Sequence, residues 1–409
     1  MIEIIFLIFV IILILELSIK NFALIIRKKF QWMIVDNVDE IPVFKKDLIK
    51  KFKDNSFNYI LGWDNKKNSS RNEEVKSVGE LRNEKFKKVF YSFDKLGARN
   101  DKNNEKKRKL YTSFGDSFVF CKHVKNNETW QNELSKLTKS YVTNYGVNNF
   151  GIDQALIKYK LKKDNSKIVF LGFVPETIIR IHSSWKHYSE YGNILGFKPK
   201  FEWKKNKLTL IKNNLKRPDD LLLDEKVKKI INLVKKKDLW YKNKFSNDVL
   251  KFPFVFQIFK NLKRNFSIFF FFIFFFLTKK NYFYNLAWKT VLAENFKLVL
   301  SCYKLEKSKQ LLLEIINQFI REVKKNKSIP IIIIFPYKQD LDYLKKNKRK
   351  YYVDVINKFK SKTKLIDLSD TLVKKRYSSY YNSNYFGSHL TKSGNKICAK
   401  IIFNYLKKI

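Results

Sequence analysis

YTSFGDSF, Tyr111–Phe118, combines the end of a strand with the start of a turn. Leu110–Phe114 reads as a short strand. Gly115 has no Cβ, so the chain can turn there through φ/ψ regions closed to other residues. Asp116 suits the entry to a following helix, and Ser117 stands just past the strand's end. In open α/β sheets that edge is where ligands bind. A serine there becomes a nucleophile when a histidine reaches its hydroxyl. An isolated GDS is a turn with a capping serine. Its chemistry depends on the downstream stretches and on their order.

Outward from that turn, strands and helices alternate. Glu128–Lys139 reads as a helix, Tyr141–Asn144 as a strand, and Ile152–Leu161 as a second helix. Lys167–Gly172 (KIVFLG) and Ile331–Phe335 have the continuous apolar runs of strands covered on both faces. Leu311–Val323 reads as an amphipathic helix, Tyr351–Phe359 as a helix and Lys364–Leu368 as a short strand. In the final helix, Asn395–Leu406, Ile397, Ile401 and Tyr405 join Cys398, Ile402 and Leu406 on one face. Five strands with intervening helices predict an α/β fold: a parallel sheet with helices on both faces.

The chain of 409 residues has room for one large domain with attachments, or for two domains. Lys and Arg number 84 against 38 Asp and Glu, a net charge of +46. The lysines are spread over nearly every segment, as a compositional bias would spread them, and no zinc-finger, RNP-like or Walker pattern accompanies them. No nucleic-acid partner is expected. Cys121, Cys302 and Cys398 are odd in number and far apart, so they suggest neither a disulfide framework nor a metal site. No metal or other cofactor is expected.

Ile4–Leu15 is an unbroken apolar run, and Ile2–Ile19 is just long enough to span a bilayer. The start lacks basic residues and no small-residue cleavage site comes after it, which favours an uncleaved anchor over a signal peptide. A buried helix is the alternative, and the membrane side is open. Residues 31–105 read as charged and irregular, with Asn65–Lys76 a loop and Lys102–Lys109 a solvated basic linker. Asp219–Lys251 reads as lysine-rich and helical. Phe266–Leu277, FSIFFFFIFFFL, reads as a buried helix or as a segment dipping into a bilayer.

Three further stretches complete the pattern. NYGVNNFGIDQAL places Gly146 after the second strand, where a backbone N–H could face the same cleft as Ser117. FLGFVPETIIR contains the end of the third strand and the turn beyond it. GSHLTKSGNKICAKII puts His389 in a loop just before the last helix. Together FGDSF, NYGV with GIDQAL, and HLTKSGN resemble the three blocks of the SGNH/GDSL hydrolase superfamily, over about residues 105–409. FNYILGW and GFKPKF resemble its membrane-anchored bacterial branch. The resemblance implies a flavodoxin-like three-layer α/β/α fold with a five-stranded parallel sheet. It divides the chain into an anchor (1–30), an N-terminal extension (31–104) and a hydrolase-like domain (105–409) with an insertion around 200–290.

It also implies roles. Ser117 would attack an ester carbonyl while His389 takes its proton. The backbone N–H groups of Ser117 and Gly146 would hold the oxyanion. Thr177 stands where most members carry Asn or Asp, with Asn148 and Asn149 as alternative donors. Most members place an Asp two or three residues before the histidine; here those positions are Gly387 and Phe386. Asp367 and Asp370 are the nearest preceding carboxylates, and both suit sheet-edge or capping positions. His123, His182 and His187 read as surface or structural. The expected function is an ester hydrolase or O-acyltransferase working through an acyl-serine on acylated carbohydrate at a membrane. The alternative is a catalytically weakened carbohydrate-binding or assembly protein that keeps the fold.

Overall fold

The structure, a computed structural model, describes residues 1–30, 32–75, 87–162, 164–360, 362–382 and 388–408. The chain divides into two compact units. One comprises Lys53–Ile181, Lys198–Asn213 and Leu298–Ile409; the other comprises Met1–Phe52, His182–Phe197 and Asn214–Lys297.

The first of these carries a five-stranded parallel sheet: β1 (Lys109–Gly115), β2 (Tyr141–Asn144), β3 (Ile168–Phe173), β4 (Ile329–Ile334) and β5 (Lys364–Asp367). The strand order is β5-β4-β3-β1-β2, the flavodoxin-like arrangement with its switch point between β1 and β3. Register is set where Ser113 pairs with Phe170 and with Asn144, and Ile333 with Gly172 and Ile366. Side chains alternate across the sheet, as strand geometry requires. Phe170, Ile331, Ile333 and Phe335 share one core cluster with Trp130 and Leu134 of helix Trp130–Thr138 and Cys398 and Ile402 of helix Lys392–Leu406. On the other face Phe114 meets Tyr159 of helix Ile152–Lys162, which meets Phe319 of helix Glu306–Lys325. The result is the three-layer fold that the apolar runs predict.

Residues 53–104 depart from the irregular segment expected. Ser70–Val75 is a strand, not part of a loop, and it pairs antiparallel with Lys87–Ser92; Lys76, the end of the expected loop, lies outside the described residues. The alternation SRNEEV carries too few apolar residues to announce a strand. Tyr91 and Phe93 pack against Phe120, just past the GDS turn.

The other unit begins with a continuous helix, Ile2–Lys29, long and apolar enough by length and composition to cross a membrane. At about 1.5 Å per residue it runs roughly 42 Å, beyond the ~30 Å of a hydrocarbon core. Its partner segments are drawn together by buried polar anchors. The Asp238 carboxylate accepts the Ser183 hydroxyl and the N–H groups of Ser184, Trp185 and Trp240. Buried Arg264 donates to the Met33 carbonyl at 2.7 Å. Phe266–Leu277 lies in helix Leu262–Thr278, with one face buried and the opposite face exposed.

Candidate active site

β1 ends in a tight approach to its neighbour. A Cβ on Gly115 would fall 2.0 Å from the Gly172 carbonyl oxygen of β3, so no side chain fits there. The chain then enters the four-residue helix Ser117–Phe120, capped by Asp116. One Asp116 oxygen accepts the Phe118 N–H at 2.9 Å; the other accepts the Val174 N–H, also at 2.9 Å. The cap therefore ties the GDS turn to the segment after β3. It also engages the Phe118 N–H and leaves the Ser117 N–H in the first turn, where no intrahelical acceptor exists.

The far end of this short helix is gripped by a residue that no sequence pattern singled out. Arg99 is buried, and its guanidinium donates to the carbonyls of Phe120 and Cys121 at 2.8 Å each and of Val124 at 2.9 Å. A cation on the last carbonyls of a helix is favourably placed. Burial lowers its pKa to about 10.

His389, although 272 positions from Ser117 in sequence, brings Nε2 to 2.9 Å from the Ser117 hydroxyl. The serine O–H donates when Nε2 is the unprotonated ring nitrogen. Burial, then the nearby Lys122, His123 and Arg180, hold the His389 pKa well below its ordinary 6.5, so the ring is neutral near neutral pH. Its Nδ1 has no hydrogen-bond partner among the described residues. Phe386 and Gly387, where an orienting acid is expected, lie outside the described residues. Asp367 and Asp370 both bind Lys350, at 2.6 and 2.5 Å, and Asp367 also accepts the Ser369 N–H.

The His389 backbone is held by Asn382. The His389 N–H donates to Asn382 Oδ1 at 3.0 Å, and the Asn382 N–H donates to the His389 carbonyl at 3.0 Å. The Asn382 amide N–H also donates to His123 Nδ1 at 2.7 Å, and the His123 and His389 rings meet edge-on with centroids 5.0 Å apart. His123, read as surface or structural, is part-buried and stands beside His389. Its place six positions after Ser117 was the available signal. Burial, then Lys122, lowers its pKa to about 4, so it too is neutral. His187, in contrast, is buried in the other unit, hydrogen-bonded to the Asp39 carbonyl.

The expected oxyanion donors are placed differently from one another. Gly146 packs so closely on helix Ser117–Phe120 that a Cβ would lie 2.2 Å from the Phe120 nitrogen. Tyr145 and Val147 on either side donate to the Ser113 and Gly115 carbonyls. Yet the Gly146 N–H itself donates to Asn144 Oδ1 at 2.9 Å. The Thr177 hydroxyl accepts the Ile152 N–H at 3.1 Å, at the start of a helix. Asn148 uses its carbonyl to accept the Trp63 indole N–H, and its amide oxygen is buried without a partner among the described residues. Asn149 sits at φ 65°. Among the described residues, no hydrogen bond joins Thr177, Asn148 or Asn149 to Ser117.

No protein-family model matches this chain, and no curated protein matches it. Among solved structures, it resembles a protein from Desulfitobacterium hafniense DCB-2 assigned to the G-D-S-L family of lipolytic proteins. The two are 10% identical with a TM-score of 0.33, over 72% of this chain and 97% of that one.

Proposed function

We propose that this protein is a serine ester hydrolase or O-acyltransferase of the SGNH/GDSL type, with Ser117 as nucleophile and His389 as general base. The observation that carries the reading is the 2.9 Å contact between the Ser117 hydroxyl and a neutral, buried His389 at the C-terminal edge of a parallel sheet. Ser117 Oγ attacks the ester carbonyl carbon as its proton passes to His389 Nε2. The tetrahedral oxyanion is held by the Ser117 N–H, joined by the Gly146 N–H when the Asn144 side chain releases it. Collapse breaks the ester C–O bond, and His389 returns the proton to the departing alkoxide. Water or a second hydroxyl then attacks the acyl-serine by the same route.

The substrate class we propose is an acylated carbohydrate at a membrane, with the N-terminal helix as anchor. The test is labelling by a fluorophosphonate probe. Labelling of the wild-type chain that vanishes in Ser117→Ala, with release of acetate from an acetylated oligosaccharide, supports the enzyme. The second reading, a weakened binding or assembly protein, is favoured by the engaged Gly146 N–H and the Thr177 hydroxyl turned to Ile152. Absence of labelling, together with retained oligosaccharide binding, selects it.

A further inference from the structure

We infer that the bent helix pair Phe254–Lys260 and Leu262–Thr278 seats in one leaflet of an anionic lipid bilayer, entering beside the N-terminal helix without crossing. This rests on reading Ile2–Lys29 as a membrane anchor. From Ile268 to Leu277 the second helix of the pair is apolar on every side. Ile268, Phe269, Phe272 and Phe275 form its buried face, while Phe266, Phe270, Ile273 and Leu277 form an exposed stripe. A helix hydrophobic all round belongs in a protein core or a membrane. Phe252, Phe256 and Phe259 extend the exposed apolar surface onto the preceding segment.

Length and shape favour a re-entrant seat over a crossing. The pair bends by 115°. The apolar run Phe266–Leu277 covers only about 18 Å, against ~30 Å of hydrocarbon. Continuity with the N-terminal helix fixes the side on which lipid lies. Phe22 packs on Phe269 and Phe276, and Phe30 on Phe272 and Phe275.

Glu16 supplies the second observation. It interrupts an apolar helix, where an ionisable group within lipid needs a partner. Its carboxylate oxygens accept the N–H groups of Phe254 and Val255, at 2.5 and 3.0 Å. These open the first helix of the pair and have no acceptor within it. In water, solvent would serve them; in lipid only the protein can. Glu16, Phe22 and Phe30 all lie toward the C-terminal, basic end of the N-terminal helix, so the pair sits toward that end rather than at midplane. Exposed Lys260, Lys263, Lys279 and Lys280 rim the pair and suit anionic headgroups. The Lys29 ammonium lies 5.3 Å from the Phe275 ring centroid.

The test uses the full chain in phosphatidylcholine–phosphatidylglycerol vesicles, with an environment-sensitive thiol label at Phe270→Cys. Cys121, Cys302 and Cys398 are buried and stay unlabelled in the folded protein. Glu105→Cys provides the water-exposed reference and Ile8→Cys reports the anchor. The expected result at 270 is several-fold protection from aqueous iodide relative to 105. Quenching there should be stronger by lipids with a nitroxide near the headgroup than by lipids with one at the chain end. Iodide access equal to that at 105 overturns the proposal. So does protection without lipid quenching, which would mean that protein covers the stripe, and so does strongest quenching from the chain end, which would mean a crossing helix. A label at position 8 that only chain-end nitroxides quench upholds the anchor independently. Loss of lipid quenching at both positions removes both readings, and loss at 270 alone removes only this one.

Discussion

The turns after β1 and β3 leave the same edge of the same sheet, each with a hydroxyl residue opening a four-residue helix, Ser117 and Thr177. Their hydroxyls have opposite fates. Ser117 faces a histidine from a distant loop; Thr177 accepts the N–H of Ile152 and closes a neighbouring helix start. The helix entries differ, extended and side-chain-capped at Asp116 but helical at Glu176, yet in both turns the partner of the hydroxyl comes from elsewhere in the chain. Chemistry at a sheet edge belongs to the assembled site, not to the turn that offers a side chain.

The comparison breaks most sharply at the nucleophile. Ser117→Ala is expected to lower kcat/KM for a simple acetyl ester by about 10³-fold or more. An unchanged rate would put the chemistry elsewhere. Gly146→Ala comes next, because its Cβ would strike the Phe120 nitrogen and shift the nucleophile helix. Misplacement of this kind costs about 10²-fold in turnover, checked by kcat alongside the thermal midpoint.

Asn382→Ala removes the group that holds the His389 backbone and bonds to His123. We expect kcat to fall about tenfold with KM little changed, as for a loss confined to the transition state. A matching rise in KM would make Asn382 a substrate contact instead. A pH profile sharpens the same point. On the proposed mechanism His389 works as the neutral base, and its pKa is depressed, so the acid limb of kcat/KM is expected below pH 6.5. An unperturbed histidine would leave about a tenth of the activity at pH 5.5; we expect most of it to remain. Stability moves the other way. His123 and His389 are neutral when folded and take up protons on unfolding, so stability conferred above pH 6.5 is lost as pH falls below it. For His123 that loss continues down to about pH 4. The folded fraction should be followed by circular dichroism in the same buffers.

The smallest expected effect is at the other turn. Thr177→Val leaves the Ile152 N–H without its acceptor and should cost about 1–2 kcal/mol of stability, with kcat within about twofold of wild type. A hundredfold loss of kcat would show that the Thr177 hydroxyl swings to the oxyanion during turnover.

The two turns also mark what was legible in the amino-acid order. KIVFLG and the isoleucine run of β4 announce strands because both of their faces are covered, and the GDS turn is dictated by Gly115 and Asp116. His389 was recognisable from its block before the last helix. The pairing of Ser70–Val75 with Lys87–Ser92 was not, because mixed charged and polar residues mask a period of two. Arg99 and Asn382 were invisible for another reason. Their value lies in backbone groups that they meet 21 or more and 7 positions away, and no local pattern encodes such meetings. The helix Asn281–Lys304 went unread because its apolar residues keep to no single face. Thr177 was read as standing where an oxyanion donor is expected, but the direction of its hydroxyl depends on Ile152, in a helix from a separate stretch.

The 272 positions between Ser117 and His389 also set a clock. Strands β1 to β3 leave the ribosome before residues 182–297, and β4, β5 and the histidine emerge only afterwards. At about 5–20 residues per second, roughly 15–55 s separate the synthesis of the serine from that of its base. On the proposed mechanism, a chain stopped anywhere in that interval carries a nucleophile that nothing activates. Truncated products and stalled translation would therefore release no stray acyl-transfer activity.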